Sequence, residues 1–276
     1  MASPKLNSDP EAAPTGELLA PFLDRPDRSA LVFDVDGTLA PIVLRPEDAE
    51  VPAATRALLE ALARRYGLVA CISGRRATEA RRIVGLDSLT YVGNHGLESL
   101  APSAEAPSVH PSLGELGERV RGFATSYSDD DLARFGVRLE DKDAIWSFHW
   151  RGAPDEEAAR RVLERVAREA AGEGLVPHWG RKVLEIRPPV EADKGTALEA
   201  ALAAAGRAIE RALYAGDDTT DLDAFRKLRE LEDAGSLQGL CVGVRSGEGP
   251  AAITADADLV VDGPEGLAGL LRRLAG

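Results

Sequence analysis

The run Ala30-Leu31-Val32-Phe33 stops at Asp34, and Val35, Asp36, Gly37 and Thr38 follow. No other stretch constrains the fold as strongly. Continuous apolar residues, without the alternation of a half-exposed strand, predict a strand covered on both faces. Such strands belong to parallel sheets flanked by helices. Residues 51–67 carry Pro52 in a first turn, Leu58, Leu59 and Leu62 on one side, and Gly67 just past the end, which predicts a helix. Further apolar runs stand at 67–73 (GLVACIS) and around 90–96 (TYVGNHG). Strand, helix, strand at this spacing predicts right-handed parallel crossovers.

The rhythm then changes. Residues 111–127 suit a helix, 133–152 two strands around Asp141-Lys142-Asp143, 155–174 an amphipathic helix, and 174–188 a hairpin turning near Gly180. After residue 193 the alternation of helix and strand resumes. Segments 100–112 and 187–193, rich in Pro, Ser and Ala or in Pro and acids, read as linkers. The expected fold class is α/β: a Rossmann-like parallel-sheet core with an inserted α+β cap domain. The expected boundaries are a flexible leader at 1–28, a core from 29–101 and 190–276, and a cap at 102–189.

Composition narrows the partners. The 276 residues carry a net charge of −13, which provides no generic attraction to nucleic acid or to an anionic membrane. Cys71 and Cys241, the two cysteines, lie in apolar runs and suggest no disulfide framework. With no signal-peptide pattern and no apolar stretch of about 18 residues, a cytoplasmic monomer is expected.

Ligands bind outside the carboxyl ends of parallel strands. The sequence sends Asp34 and Asp36, Ser73, Lys194, and Asp217 with Asp218 to that edge from four separate segments. Asp34 and Asp36, two apart in extended chain, share a side. Their repulsion calls for a cation, and oxygen ligands without His or Cys favour Mg2+ over zinc. Carboxylates, a hydroxyl and a lysine around such a cation suit a phosphoryl group. Each motif has a plainer use, as an Asx turn or a helix cap. Lys194 is the exception, because a cation at a helix start opposes the helix dipole.

DVDGT, Ser73, Lys194 and GDDTTD, in this order, resemble the four motifs of the haloacid dehalogenase superfamily of phosphotransferases. Within it, FDVDGTLAPI, GNHGLE, EDK…FHWR and RKVLEIRP resemble the trehalose-6-phosphate phosphatase family, over roughly residues 30–262. Two positions depart from that pattern: Leu222 stands where a glutamate is usual, and Trp150 where a tyrosine is expected. The resemblance implies a Mg2+-dependent phosphatase acting on a sugar phosphate, trehalose 6-phosphate. Asp34, Asp36, Ser73 and Lys194 would be catalytic, and Asp34, Asp36, Asp217 and Asp218 would hold the metal, with Gly37, Thr38 and Asp221 in support. Arg75, Asn94, His95, Glu140, Lys142, His149, Arg151, Lys182 and Glu185 would bind substrate. The cap would close through hinges near the two linkers. Other readings at this point are a phosphatase for sucrose phosphate or a glycosyl-phosphoglycerate, a phosphomutase, and a non-catalytic regulatory module.

Overall fold

In the computed structural model, residues 12–43, 45–110, 113–127, 132–247 and 249–276 are described. The strand Ser29–Phe33 is buried along its whole length and pairs in parallel with Leu68–Ile72 on one side and Arg211–Gly216 on the other. Leu31 and Phe33 enter one apolar layer with Val69, Cys71, Leu213 and Ala215, while Ala30 and Val32 enter the opposite layer with Ala70, Ile72, Ala212 and Tyr214. This two-residue division is what a strand covered on both faces must show.

Across the core sheet the order is Leu259–Asp262, Gln238–Arg245, Arg211–Gly216, Ser29–Phe33, Leu68–Ile72, Thr90–Gly93 and Glu98–Leu100. All of these pairs are parallel except the last, Thr90–Gly93 with Glu98–Leu100. From Ser29–Phe33 the chain steps outward in one direction, and from Arg211–Gly216 it steps outward in the other. Strand order therefore reverses between these two neighbours, which opens a crevice at their carboxyl ends. Leu59 and Leu62 of the helix Ala53–Ala63, and Leu267, Leu271 and Leu274 of Gly263–Ala275, cover one face. Ala197 and Leu198 of the helix Lys194–Ala203, and Phe225 and Leu228 of Asp221–Asp233, cover the other.

The chain divides into two compact units, one made of residues up to Pro107 and from Asp193 onward, the other of Ser108–Ala192. In the second unit an antiparallel sheet runs in the order Arg138–Asp141, Trp146–His149, Val183–Arg187, Val176–Gly180. Its apolar face, with Phe148, Leu184 and Ile186, packs on Val120 and Phe123 of the helix Leu113–Thr125 and on Leu163 and Val166 of Glu156–Gly172. Trp150 is buried in this cluster and Trp146 packs against it, the apolar hairpin face that their alternation with Phe148 predicts. The fold is α/β with a separate antiparallel cap sheet.

One expectation is corrected. Residues 12–28 are not a loose leader: Ala12–Asp24 is a helix, followed by a 3-10 turn at Pro26–Arg28. Leu19 and Phe22 are buried in the core cluster, with Leu18 and Leu23 packed against it. Four apolar residues within six positions provide a helical stripe, which outweighs the surrounding Pro and polar residues. Residues 1–11 lie outside the described residues. Among the described residues no helix is long and apolar enough to cross a membrane. Both cysteines are buried and free.

Because Phe22 is fully buried, Phe22→Ala is expected to cost about 3–5 kcal/mol. Thermal unfolding would reveal this, and an unchanged melting temperature would mean that the helix contributes nothing to the core.

Candidate active site

Asp34 directly follows the central strand, and its backbone N–H continues the ladder to the Ala215 carbonyl at 2.9 Å. Its carboxylate thereby reaches the crevice where strand order reverses. Asp217 follows the neighbouring strand and arrives beside it. Lys194 is the first residue of its helix, behind an Asp193 cap whose side chain accepts from Thr196 N–H while the Thr196 hydroxyl accepts from Asp193 N–H. This capping box fixes the first turn and aims the lysine inward.

The lysine ammonium donates at 2.6 Å to Asp34 Oδ1 and at 2.6 Å to Asp221 Oδ1. Lys194 is 3% exposed, Asp34 5% and Asp221 0%. Burial alone would pull the lysine down; Asp221 and Asp34 instead hold it well above the ordinary range. Burial pushes the Asp34 carboxyl up, Lys194 opposes it, and Asp221 and Asp217 add to the push. Asp221 accepts four hydrogen bonds. Tyr214 Oη and Lys194 Nζ reach Oδ1, and the backbone N–H groups of Asp217 and Asp218 reach Oδ2 at 3.1 and 2.9 Å. It therefore anchors both the lysine and the loop that carries Asp217.

Asp34, Asp217 and Asp221 each bring a carboxylate oxygen within 4.8 Å of the others, a spacing that could hold a metal ion. With all three carboxylates ionised, one ammonium would leave two negative charges in a buried place. That deficit and the all-oxygen donor set match a divalent, hard cation. Since Asp221 already accepts four hydrogen bonds, Asp34 and Asp217 are the better placed direct ligands.

The other residues predicted from the sequence distribute as follows. Asp36 is not part of the cluster; its carboxylate pairs with Arg75 at 2.7 and 2.8 Å. Asp218 is half-buried and accepts from Thr219 N–H at 2.7 Å. Ser73 is buried at the end of its strand, with its hydroxyl oxygen accepting from Arg75 N–H at 3.1 Å. Thr38 donates to Asp217 Oδ1 at 3.2 Å. Arg75 also binds Glu79, and these acids outweigh burial in keeping the guanidinium charged. Asn94 and His95 are buried in consecutive left-handed conformations that reverse the chain into Glu98–Leu100.

In the second unit, Lys142, Ser147 and Arg187 all donate to the buried Glu185, at 3.0, 3.4 and 2.6 Å. His149 Nε2 lies 2.7 Å from Glu140, Lys182 pairs with Glu156, and Arg151 is half-buried. Leu222 is partly buried and packs against the apolar layer of the core.

Sequence reasoning missed several participants. Tyr214 reads only as an apolar strand residue. Ser246, whose hydroxyl lies 3.4 Å from Asp217 Oδ2, carries no motif. Glu98 is buried and accepts from Ala77 N–H at 2.6 Å and from Asn94 Nδ2 at 3.4 Å, bracing the segment after Ser73. Its signal in the sequence is its place as the last residue of the GNHGLE stretch.

Gly37 adopts φ +91°, and a Cβ there would stand 2.4 Å from Asp217 Oδ2. Gly37→Ala is therefore expected to displace Asp217 and to cost about 1–3 kcal/mol. Urea or thermal denaturation measures this, and a wild-type melting curve would contradict the close approach.

The comparisons with known proteins agree with this geometry. The trehalose-phosphatase family model matches residues 32–260. A trehalose-phosphate phosphatase of Mycolicibacterium paratuberculosis is 35% identical over 259 residues, 89% of this chain and 62% of the relative. A probable trehalose-phosphate phosphatase of Oryza sativa subsp. japonica is 34% identical over 212 residues, 75% of this chain and 57% of the relative. The chain thus spans about three-fifths of these relatives' length. The C-terminal domain of C. albicans trehalose-6-phosphate phosphatase shares the fold, with a TM-score of 0.77, 21% identity, and coverage of 100% of this chain and 98% of that one. With the family model covering most of its length, and the acids, serine and lysine of the family motifs at one sheet edge, this chain belongs to the trehalose-phosphatase family.

Proposed function

We propose that this chain is a Mg2+-dependent phosphatase that hydrolyses trehalose 6-phosphate to trehalose and phosphate. The observation that carries this reading is the buried Asp34–Lys194–Asp221 network beside Asp217, at the point where strand order reverses. Its support in sequence is the family membership.

In the proposed reaction an Asp34 carboxylate oxygen attacks phosphorus while the bond to the sugar oxygen breaks. Asp36 donates a proton to that leaving oxygen and is left as a carboxylate. It then removes a proton from the water that attacks the aspartyl-phosphate, so phosphate departs and Asp34 is restored. Each half-reaction returns Asp36 to the form the other one needs. The Ser73 hydroxyl and the Lys194 ammonium bind phosphate oxygens and offset charge at the transferring group. Mg2+ would be held by Asp34 and Asp217, with the Asp36 carbonyl and Asp218 in support, and would neutralise charge on the phosphoryl group. Glu140, Lys142, His149, Arg151, Lys182 and Glu185 are proposed to recognise sugar hydroxyls. Fixed charged groups suit such polar recognition, and the internal pairing of Lys142 with Glu185 and of His149 with Glu140 pre-orients them.

The deciding assay is phosphate release from trehalose 6-phosphate beside glucose 6-phosphate and sucrose 6-phosphate. Trehalose 6-phosphate is expected to be preferred, and chelation of Mg2+ is expected to stop turnover. A preference for another sugar phosphate would keep the chemistry and reject the substrate. Asp34→Asn is expected to lower kcat by about a thousand-fold or more. Undiminished release by this variant would reject the covalent route.

A further inference from the structure

Arg75 was expected to touch substrate, yet all three of its guanidinium nitrogens are committed elsewhere. Nε donates to Asp36 Oδ2 at 2.7 Å and Nη2 to Asp36 Oδ1 at 2.8 Å. Nη1 donates to Glu79 and, at 3.2 Å, to the Pro46 carbonyl. The arginine is itself held from its backbone. Its N–H donates to Ser73 Oγ at 3.1 Å, and its carbonyl accepts from Asn94 N–H at 2.8 Å. Its side chain is 15% exposed and that of Asp36 31%.

From this arrangement we propose that Arg75 is a positioning residue for the proton carrier Asp36, and that Glu79 completes the clasp from the adjoining helix Ala77–Val84. The proposal rests on the reading of Asp36 given above. Asp36 is the most exposed of the predicted catalytic acids, and no lysine or backbone donor reaches its carboxylate among the described contacts. An aspartate in such a place samples several rotamers, and a group that must deliver and then remove a proton at the same spot cannot afford that freedom. Two parallel N–H···O bonds from a planar guanidinium fix both the position and the plane of the carboxylate. A carboxylate offers about four acceptor directions, so with two taken each oxygen keeps one for the proton. Glu79 and the Pro46 carbonyl occupy the third nitrogen and turn the fork toward Asp36.

A kinetic cycle with Arg75→Ala, Asp36→Asn and the double variant tests the idea, with melting temperatures confirming that each folds. Arg75→Ala is expected to lower kcat for the sugar phosphate by about 10–100-fold while KM stays within about twofold. If Arg75 works through Asp36, the double variant is no slower than Asp36→Asn alone. Added guanidinium ion should restore part of the Arg75→Ala rate. Arg75→Lys should recover little, because an ammonium cannot form the fork. Glu79→Gln should shift kcat in the same direction by a smaller factor, and it carries the test should Arg75→Ala fail to fold. A raised KM with unchanged kcat, or losses that multiply in the double variant, would make Arg75 a substrate ligand and overturn the proposal. Full turnover by Asp36→Asn would instead reject the acid–base reading, which separates the two failures.

Discussion

Everything at this sheet edge depends on one buried ammonium. Lys194 sits where water does not reach, and a lysine there stays charged only if anions surround it. Asp34 and Asp221 supply them, from a strand end and a helix start that are 187 residues apart in sequence. The reverse also holds, since a positive charge among Asp34, Asp217 and Asp221 offsets the repulsion of acids whose oxygens lie within 4.8 Å of one another. Breaking such a network from either side leaves an uncompensated buried charge, a far larger penalty than the net value of any one of its bonds. The network is therefore both a structural joint between two segments and the electrostatic floor of the site.

The approach of these acids needs room as well as charge. Gly37 lets the loop after Asp36 pass against the Asp217 carboxylate, and at Gly216 a Cβ would stand 2.2 Å from Asp221 Cγ. Two glycines thus sit beside two carboxylates. Asp221, with four donors, shows what this closeness achieves. Tyr214, Lys194 and two backbone amides hold its charge in place, so the loop bearing Asp217 is set before any ligand arrives. The bond from Thr38 to the other side of Asp217 serves the same end.

Much of this could be read from residues alone, for identifiable reasons. Apolar runs ending in acids mark buried parallel strands, and the acids, Ser73 and Lys194 fall at strand ends or helix starts, where position follows from topology. The cap hairpins were legible from their turns, at Asp141-Lys142-Asp143 and near Gly180, and the apolar face of the first from the alternation of Trp146, Phe148 and Trp150. What escaped was of another kind. The helix Ala12–Asp24 was hidden by its polar surroundings, although Leu19 and Phe22 are core residues. The partner of Asp36 depends on a rotamer of Arg75, which no spacing rule encodes. Asp221 was read as a supporting acid, but its four donors come from a strand, a helix and a loop that only the fold assembles. Tyr214 has the ordinary hydrophobicity of its strand, and only its hydroxyl gives it a second role.

The pairing of Ser29–Phe33 with Arg211–Gly216 has a consequence for how the molecule forms. Ser29 is in register with Arg211, so the central seam of the core closes a loop of about 180 residues. The cap sheet and its helices lie within that loop as a compact unit. On a ribosome the cap segment is complete before the strand Arg211–Gly216 exists. The first strand, apolar on both faces, must wait through that interval with one edge unpaired. Contacts this distant slow the final collapse, and the waiting strand is exposed to aggregation. The crevice that gathers Asp34 and Asp217 is thus among the last parts of the protein to appear, and no amino-terminal fragment ending before residue 211 can contain it.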